Sequence, residues 1–230
     1  MSTGGASVQE YPCSWVTSVD EAFQKTGSDA KLLYILFHSR GPRLPGNFYT
    51  SQAMQKVSTD LLTFVDLTVP KSVSDEKIRD LLKRCRVTAL PMAVIADRYG
   101  NPLVLKASTG DPALLEKQAK SAEAYATKIR ANFDEAYAKA KQSCKEKDWA
   151  AAAASLSSAR KVGFVGLPIV EKIEKLYKDI DAYLAKRLAK IQAQDLPKKE
   201  KSAALKELRS QAYKDLPVYK KIAAACSSST

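Results

Sequence analysis

Lys31 to Phe37 reads Lys-Leu-Leu-Tyr-Ile-Leu-Phe, almost wholly apolar over its length. A strand that faced water on one side would alternate polar and apolar residues. A continuous run instead predicts a central strand covered on both faces, the mark of a sheet between helical layers. Two more runs of this kind follow, Leu61 to Leu67 and Met92 to Ala96. Between them lie segments with helical spacing, so the pattern predicts an α/β domain with a mixed sheet.

The segments take their places around these runs. Residues 1–14 are small and polar and are expected to be a flexible leader. Val16 to Lys25 has helical spacing through Val16, Val19, Ala22 and Phe23, and Gly27-Ser28-Asp29 is expected to end that helix. A turn is expected from Arg40 to Pro45, then a helix over Asn47 to Ser58 with Ala53, Met54 and Val57 on one side. Ser74 to Arg84 predicts another helix, with Ser74 as its cap and Ile78, Leu81 and Leu82 as its buried stripe. Asp97 to Asn101 is a turn, with Leu103 to Lys106 returning as an antiparallel strand.

The slot after the first apolar run reads Phe37-His38-Ser39-Arg40-Gly41-Pro42-Arg43, between a strand and a helix-forming segment. Val87-Thr88-Ala89-Leu90-Pro91 precedes the strand at Met92, and a hairpin follows it. Together these features resemble the thioredoxin-like superfamily over residues 15–108. The resemblance implies that Pro91 is cis and that a groove lies beside Leu90 and Pro91. It also places Arg40 and Arg43 where the family carries its two cysteines. Val65-Asp66 is similar to a Val-Asp pair of the family, whereas its buried proton-transfer acid falls at Tyr34.

Those departures remove the family's chemistry. Dithiol exchange needs a low-pKa thiolate at a helix N-terminus and a second thiol to resolve the mixed disulfide. Arginine supplies neither nucleophile nor leaving group, so no catalytic residue and no enzyme activity are expected. Arg40, Gly41, Pro42 and Arg43 become a degenerate active-site turn, suited to contact an anion or a partner's acidic side chain. His38 is the only histidine. With no orienting partner in sight, it is read as structural or surface-exposed rather than as a general base. Cys85, flanked by Arg84 and Arg86, is the candidate reactive thiol, with Cys13 as the alternative. The four cysteines show no Cys-x-x-Cys and no zinc-like spacing, so no metal and no cofactor are expected.

From Asp111 the composition turns to Ala, Lys and Glu. Asp111-Pro112 is a helix start, and Leu115, Ala119, Ala122, Tyr125, Ile129, Phe133, Ala136 and Ala140 form a stripe. Asp148 opens a second helix carrying Trp149, Ala152, Leu156 and Ala159, and Gly163 to Gly166 breaks it. Leu167-Pro168 opens a third with a seam from Ile169 to Ile191, and Leu196-Pro197 precedes a last helical region over 198–224. Residues 131–161 resemble one tetratricopeptide-like hairpin. No second copy at that period follows, so a helical hairpin bundle is the expected form. The division expected is a thioredoxin-like domain over 15–110, an all-α domain over 111–226 and a disordered tail over 227–230.

Residues 1–110 hold 13 Lys and Arg against 10 Asp and Glu, and the remainder hold 24 against 15, within a net charge of +12. A basic half suits nucleic acid, an anionic membrane surface or an acidic protein. On the helices the signs alternate, as in Lys172-Ile173-Glu174-Lys175, so nucleic acid is not the expected partner. No transmembrane segment and no export signal are visible, so a cytoplasmic location is expected, with export of a longer precursor as the alternative. The resulting expectation is a redox-inactive, thioredoxin-like binding, scaffold or chaperone-type protein with a protein partner and contacts between copies through the C-terminal helices. The combination of domains also resembles certain chaperone-type members of the disulfide-isomerase group. A single-cysteine redox sensor and a basic nucleic-acid- or membrane-surface-binding protein are the alternatives.

Overall fold

The computed structural model describes residues 15–29, 31–39 and 52–228. The chain divides into two compact units, 1–127 and 128–230. The first contains a five-stranded sheet of order β1-β3-β2-β4-β5. Its strands are β1 (Trp15–Val16), β2 (Leu32–His38), β3 (Leu62–Thr68), β4 (Met92–Ala96) and β5 (Pro102–Val104). The β1–β3 and β2–β3 pairs are parallel, whereas β2–β4 and β4–β5 are antiparallel. The sheet is therefore mixed, with the apolar run of β2 at its centre.

Helices cover both faces. One face carries Leu33, Ile35, Phe37, Val65 and Leu67, packed with Ala22 of α1 (Val19–Asp29) and Leu81 and Cys85 at α3 (Glu76–Arg84). The other carries Tyr34, Leu36, Leu62 and Phe64, packed with Met54 and Val57 of α2 (Gln52–Asp60). Leu115, Ala119 and Ala122 of α4 (Pro112–Lys145) complete that second face. The two-sided burial explains why β2 has no polar alternation.

Several boundaries differ from expectation. Trp15 and Val16 form a strand on β3, and the first helix starts only at Val19. The helical spacing from Val16 is overridden by parallel pairing with Phe64 and Val65. Asp75, not Ser74, caps α3, its carboxylate accepting from the amides of Lys77 and Ile78. The return strand is Pro102–Val104, one residue earlier and shorter than Leu103 to Lys106. Its proline sits at the first position of an edge strand, where no ladder donor is needed. Residues 40–51 lie outside the described residues, as do 1–14 and 229–230, so nothing bears on the leader or on the first turns expected from Asn47.

The second unit holds the rest of α4, then α5 (Trp149–Arg160), α6 (Pro168–Ala193), α7 (Lys198–Ser210) and α8 (Pro217–Ser228). Phe133, Leu156, Ile173, Tyr177, Ile180 and Leu184 are buried within it. The expected helix over 198–224 is two helices: α7 stops at Ser210, with Gln211 as its C-cap, and Pro217, pre-set for a first helical turn, starts α8. Asp181 caps that start, accepting from the Val218 amide at 2.8 Å. Tyr125 is exposed rather than in the stripe of α4, and Ala126 takes the buried position beside it. The exposed Tyr183 stacks on Trp149 with ring centroids 4.4 Å apart.

Candidate functional site

The C-terminal ends of β2 and β3 and the start of β4 meet at one edge of the sheet. In the β2–β3 register, Leu36 is opposite Asp66 and His38 opposite Thr68. Successive strand residues alternate between faces, so His38, Asp66 and Thr68 all lie on the α2 and α4 face. Phe37 pairs with Met92, which brings Pro91 alongside the end of β2.

His38 and Asp66 form a buried pair. His38 Nε2 is hydrogen-bonded to Asp66 Oδ1, and the two residues are only 3% and 7% exposed. On the other side of the ring, Nδ1 lies 2.6 Å from the Ser39 carbonyl oxygen. A carbonyl only accepts, so Nδ1 carries a proton and donates it there. Nε2 then faces the Asp66 carboxyl oxygen. Thr68 Oγ1 stands 3.4 Å from the same nitrogen. Both ring nitrogens are thus engaged by the protein, and no lone pair is presented to a substrate. The absence of an orienting partner expected for His38 is corrected by Asp66. The arrangement fixes the exit of β2; it does not build a general base.

Tyr34 of β2 points to the α2 and α4 face of the sheet. Its ring is fully buried against Phe64, and its hydroxyl donates to the Ser108 carbonyl at 3.0 Å. That hydroxyl ties the sheet to the segment leading into α4.

Cys85 lies at the C-cap of α3 and is fully buried among Leu81, Val94 and Phe37. Burial pushes its thiol up to about 12, against a smaller opposing pull from the Arg84 guanidinium. Arg84 is itself held by Asp80 at 2.8 Å and by the Tyr99 carbonyl at 2.9 Å. The flanking arginines therefore do not make a thiolate, because desolvation outweighs them. Cys85, Cys144 and Cys226 are all free thiols, and Cys13 lies outside the described residues.

The Leu90–Pro91 peptide bond is cis. Ala89, Leu90 and Pro91 are exposed, Leu90 to 37%, and form an apolar lip next to the end of β2. Arg40, Gly41, Pro42 and Arg43 lie outside the described residues, so no geometry relates them to this lip. Among the described residues, no three His, Cys, Asp or Glu side chains come together as a metal would require.

No protein-family model matches the chain, and no curated protein is similar to it. The α/β unit followed by helices thus stands on its own geometry. The one element of the site missed in the sequence is the His38–Asp66 pairing. A buried-run histidine and an aspartate in the next apolar run were its only signal.

Proposed function

We propose that this chain is a non-catalytic, thioredoxin-like protein that binds a protein partner at the sheet edge formed by Leu90, Pro91 and the end of β2. One contrast carries this reading: the polar groups at that edge are spent internally, whereas the lip beside them is apolar and exposed. A catalytic edge would present a reactive nitrogen, thiol or carboxylate to solvent. Here His38 is satisfied at both nitrogens and Cys85 is buried with its proton. The replacement of both dithiol positions by Arg40 and Arg43 supports the same reading from the sequence.

Two measurements on the full chain test it. Exchange with a fluorogenic disulfide peptide is expected to stay at the thiol background. A fluorescein-labelled, carboxymethylated lactalbumin, held unfolded, is expected to bind, and Leu90→Asp to weaken that binding about fivefold or more through loss of an apolar anchor. Disulfide exchange that disappears in a cysteine-to-serine variant would overturn the proposal. Binding that ignores Leu90→Asp would overturn it equally.

A further inference from the structure

The lysines of α7 are interspersed with acids in sequence, but the fold sorts them. Residues 194–228 hold eight Lys and Arg against four Asp and Glu. In α7 the core side is set by buried Leu205 and Leu208, with Ala212 just beyond. At about 100° per residue, Lys199, Lys206 and Arg209 fall on one flank of that side, and Glu200 and Glu207 on the other. Contacts fix which flank is which. Glu207 lies 4.0 Å from Arg187 of α6, and Arg209 stands over the Tyr219 ring of α8 at 6.0 Å. The acids therefore lie on the flank towards α6, and the cations on the exposed flank towards α8. Lys220 of α8 is exposed next to Tyr219.

Little in the unit neutralises this strip. Of the four acids, Glu207 is turned to Arg187 and Gln211, and Asp215 accepts from Lys161 at 3.1 Å. Lys199, Lys206 and Lys220 form no ion pair with an acid among the described residues.

We infer that this α7–α8 face binds the phosphate backbone of nucleic acid. Exposed cations suffice for the charge-neutralising contacts to phosphates, which need no apolar anchor. The large hydrophobic side chains exposed elsewhere, such as Val162 and Val165, have no counterpart among the described residues of α7 and α8. A membrane surface draws stable binding from inserted apolar groups, and a protein partner from buried aromatic or aliphatic anchors. Neither is supplied here. From Lys199 to Arg209 the strip covers roughly 15 Å of helix axis, over which one strand of a duplex presents about four phosphates. The face belongs to the second unit, and the inference does not depend on what binds at Leu90.

The test is fluorescence polarisation of the full chain with a fluorescein-labelled DNA duplex of about 20 base pairs, titrated between about 50 and 200 mM salt. The wild type is expected to bind, with log affinity falling against log salt at a slope of about −3 for three neutralised phosphates. The variant Lys199→Glu, Lys206→Glu, Arg209→Glu should bind about tenfold more weakly or worse and lose most of the slope. Its Gln counterpart, which removes charge without adding it, should also lose most of the slope. The control Lys172→Glu, Lys175→Glu, Lys178→Glu makes the same charge change on α6 and should alter affinity less than about threefold. Equal losses in the two Glu variants would overturn the inference, since bulk charge would then explain binding. It is also overturned if phosphatidylserine vesicles bind and the duplex does not. Displacement of the duplex by poly-glutamate as readily as by unlabelled DNA would overturn it as well.

Discussion

At the scale of single residues, buried ionisable groups decide what the α/β unit can do. Cys85 gives a pH dependence with a definite sign. Its thiol is raised from 9.0 to about 12 on folding, so the unfolded chain releases this proton first. Its contribution is constant below about pH 9, and stability falls as pH rises from there towards 12, at most by about 1.4 kcal/mol per unit. Cys85→Ala should flatten this part of the alkaline decline in urea unfolding, and an unchanged decline would contradict the burial argument. In the native chain at neutral pH, Cys85 should resist iodoacetamide until denaturant is added. The His38–Asp66 pair predicts a double-mutant cycle. Asp66→Leu leaves a buried imidazole without its partner and is expected to cost roughly 3–5 kcal/mol. His38→Leu with Asp66→Leu should cost less than that single change, because no buried polar ring remains to be satisfied. Urea midpoints of the three variants read this directly. His38 and Asp66 were each visible in the sequence, but their pairing needed the β2–β3 register, which no local signal carries.

At the scale of elements, the β4–β5 turn shows how one position can be fixed by both backbone and packing. Asp97 Oδ1 accepts from the amides of Tyr99 and Asn101, and Gly100 sits at φ +75°. A Cβ at Gly100 would lie 2.9 Å from Leu81 Cδ1 and 3.1 Å from the Phe23 ring. Gly163, at φ +74°, has open space around it. Gly163→Ala should therefore cost about 1 kcal/mol for the backbone alone, whereas Gly100→Ala should cost roughly 2–3 kcal/mol. Equal shifts in thermal midpoint would mean that α3 and α1 yield freely at that turn. The element boundaries themselves were partly legible. Met92 to Ala96 and the Asp111-Pro112 start needed only local pattern and capping chemistry. The strand at Trp15 and Val16 did not announce itself, since its pairing partner lies some fifty residues away in β3.

For the whole molecule, the change of composition at Asp111 and the division into compact units do not coincide. The first turns of α4 carry Leu115, Ala119 and Ala122 into the sheet's core, and Gln118 bonds to both Lys106 and Ser108. A chain ending at Thr127 is thus expected to keep a cooperative urea transition. One ending at Gly110 should lose on the order of 4 kcal/mol from those three side chains alone. If the two truncated chains unfold at the same midpoint, α4 is not part of that core.

The sequence alone determined that a sheet between helical layers would form, because three apolar runs of strand length have no solvent-facing alternation. It also determined that no dithiol stands at Arg40 and Arg43, and that an alanine- and lysine-rich helical region follows Asp111. Tertiary structure decided the rest. Register joined His38 to Asp66, burial silenced Cys85, and the first turns of α4 were drawn into the sheet's core. Helix packing then placed Glu207 against α6 and left Lys199, Lys206 and Arg209 in the open. Local patterns record which residues can form an element; only the packing of one element on another records which of their groups remain available.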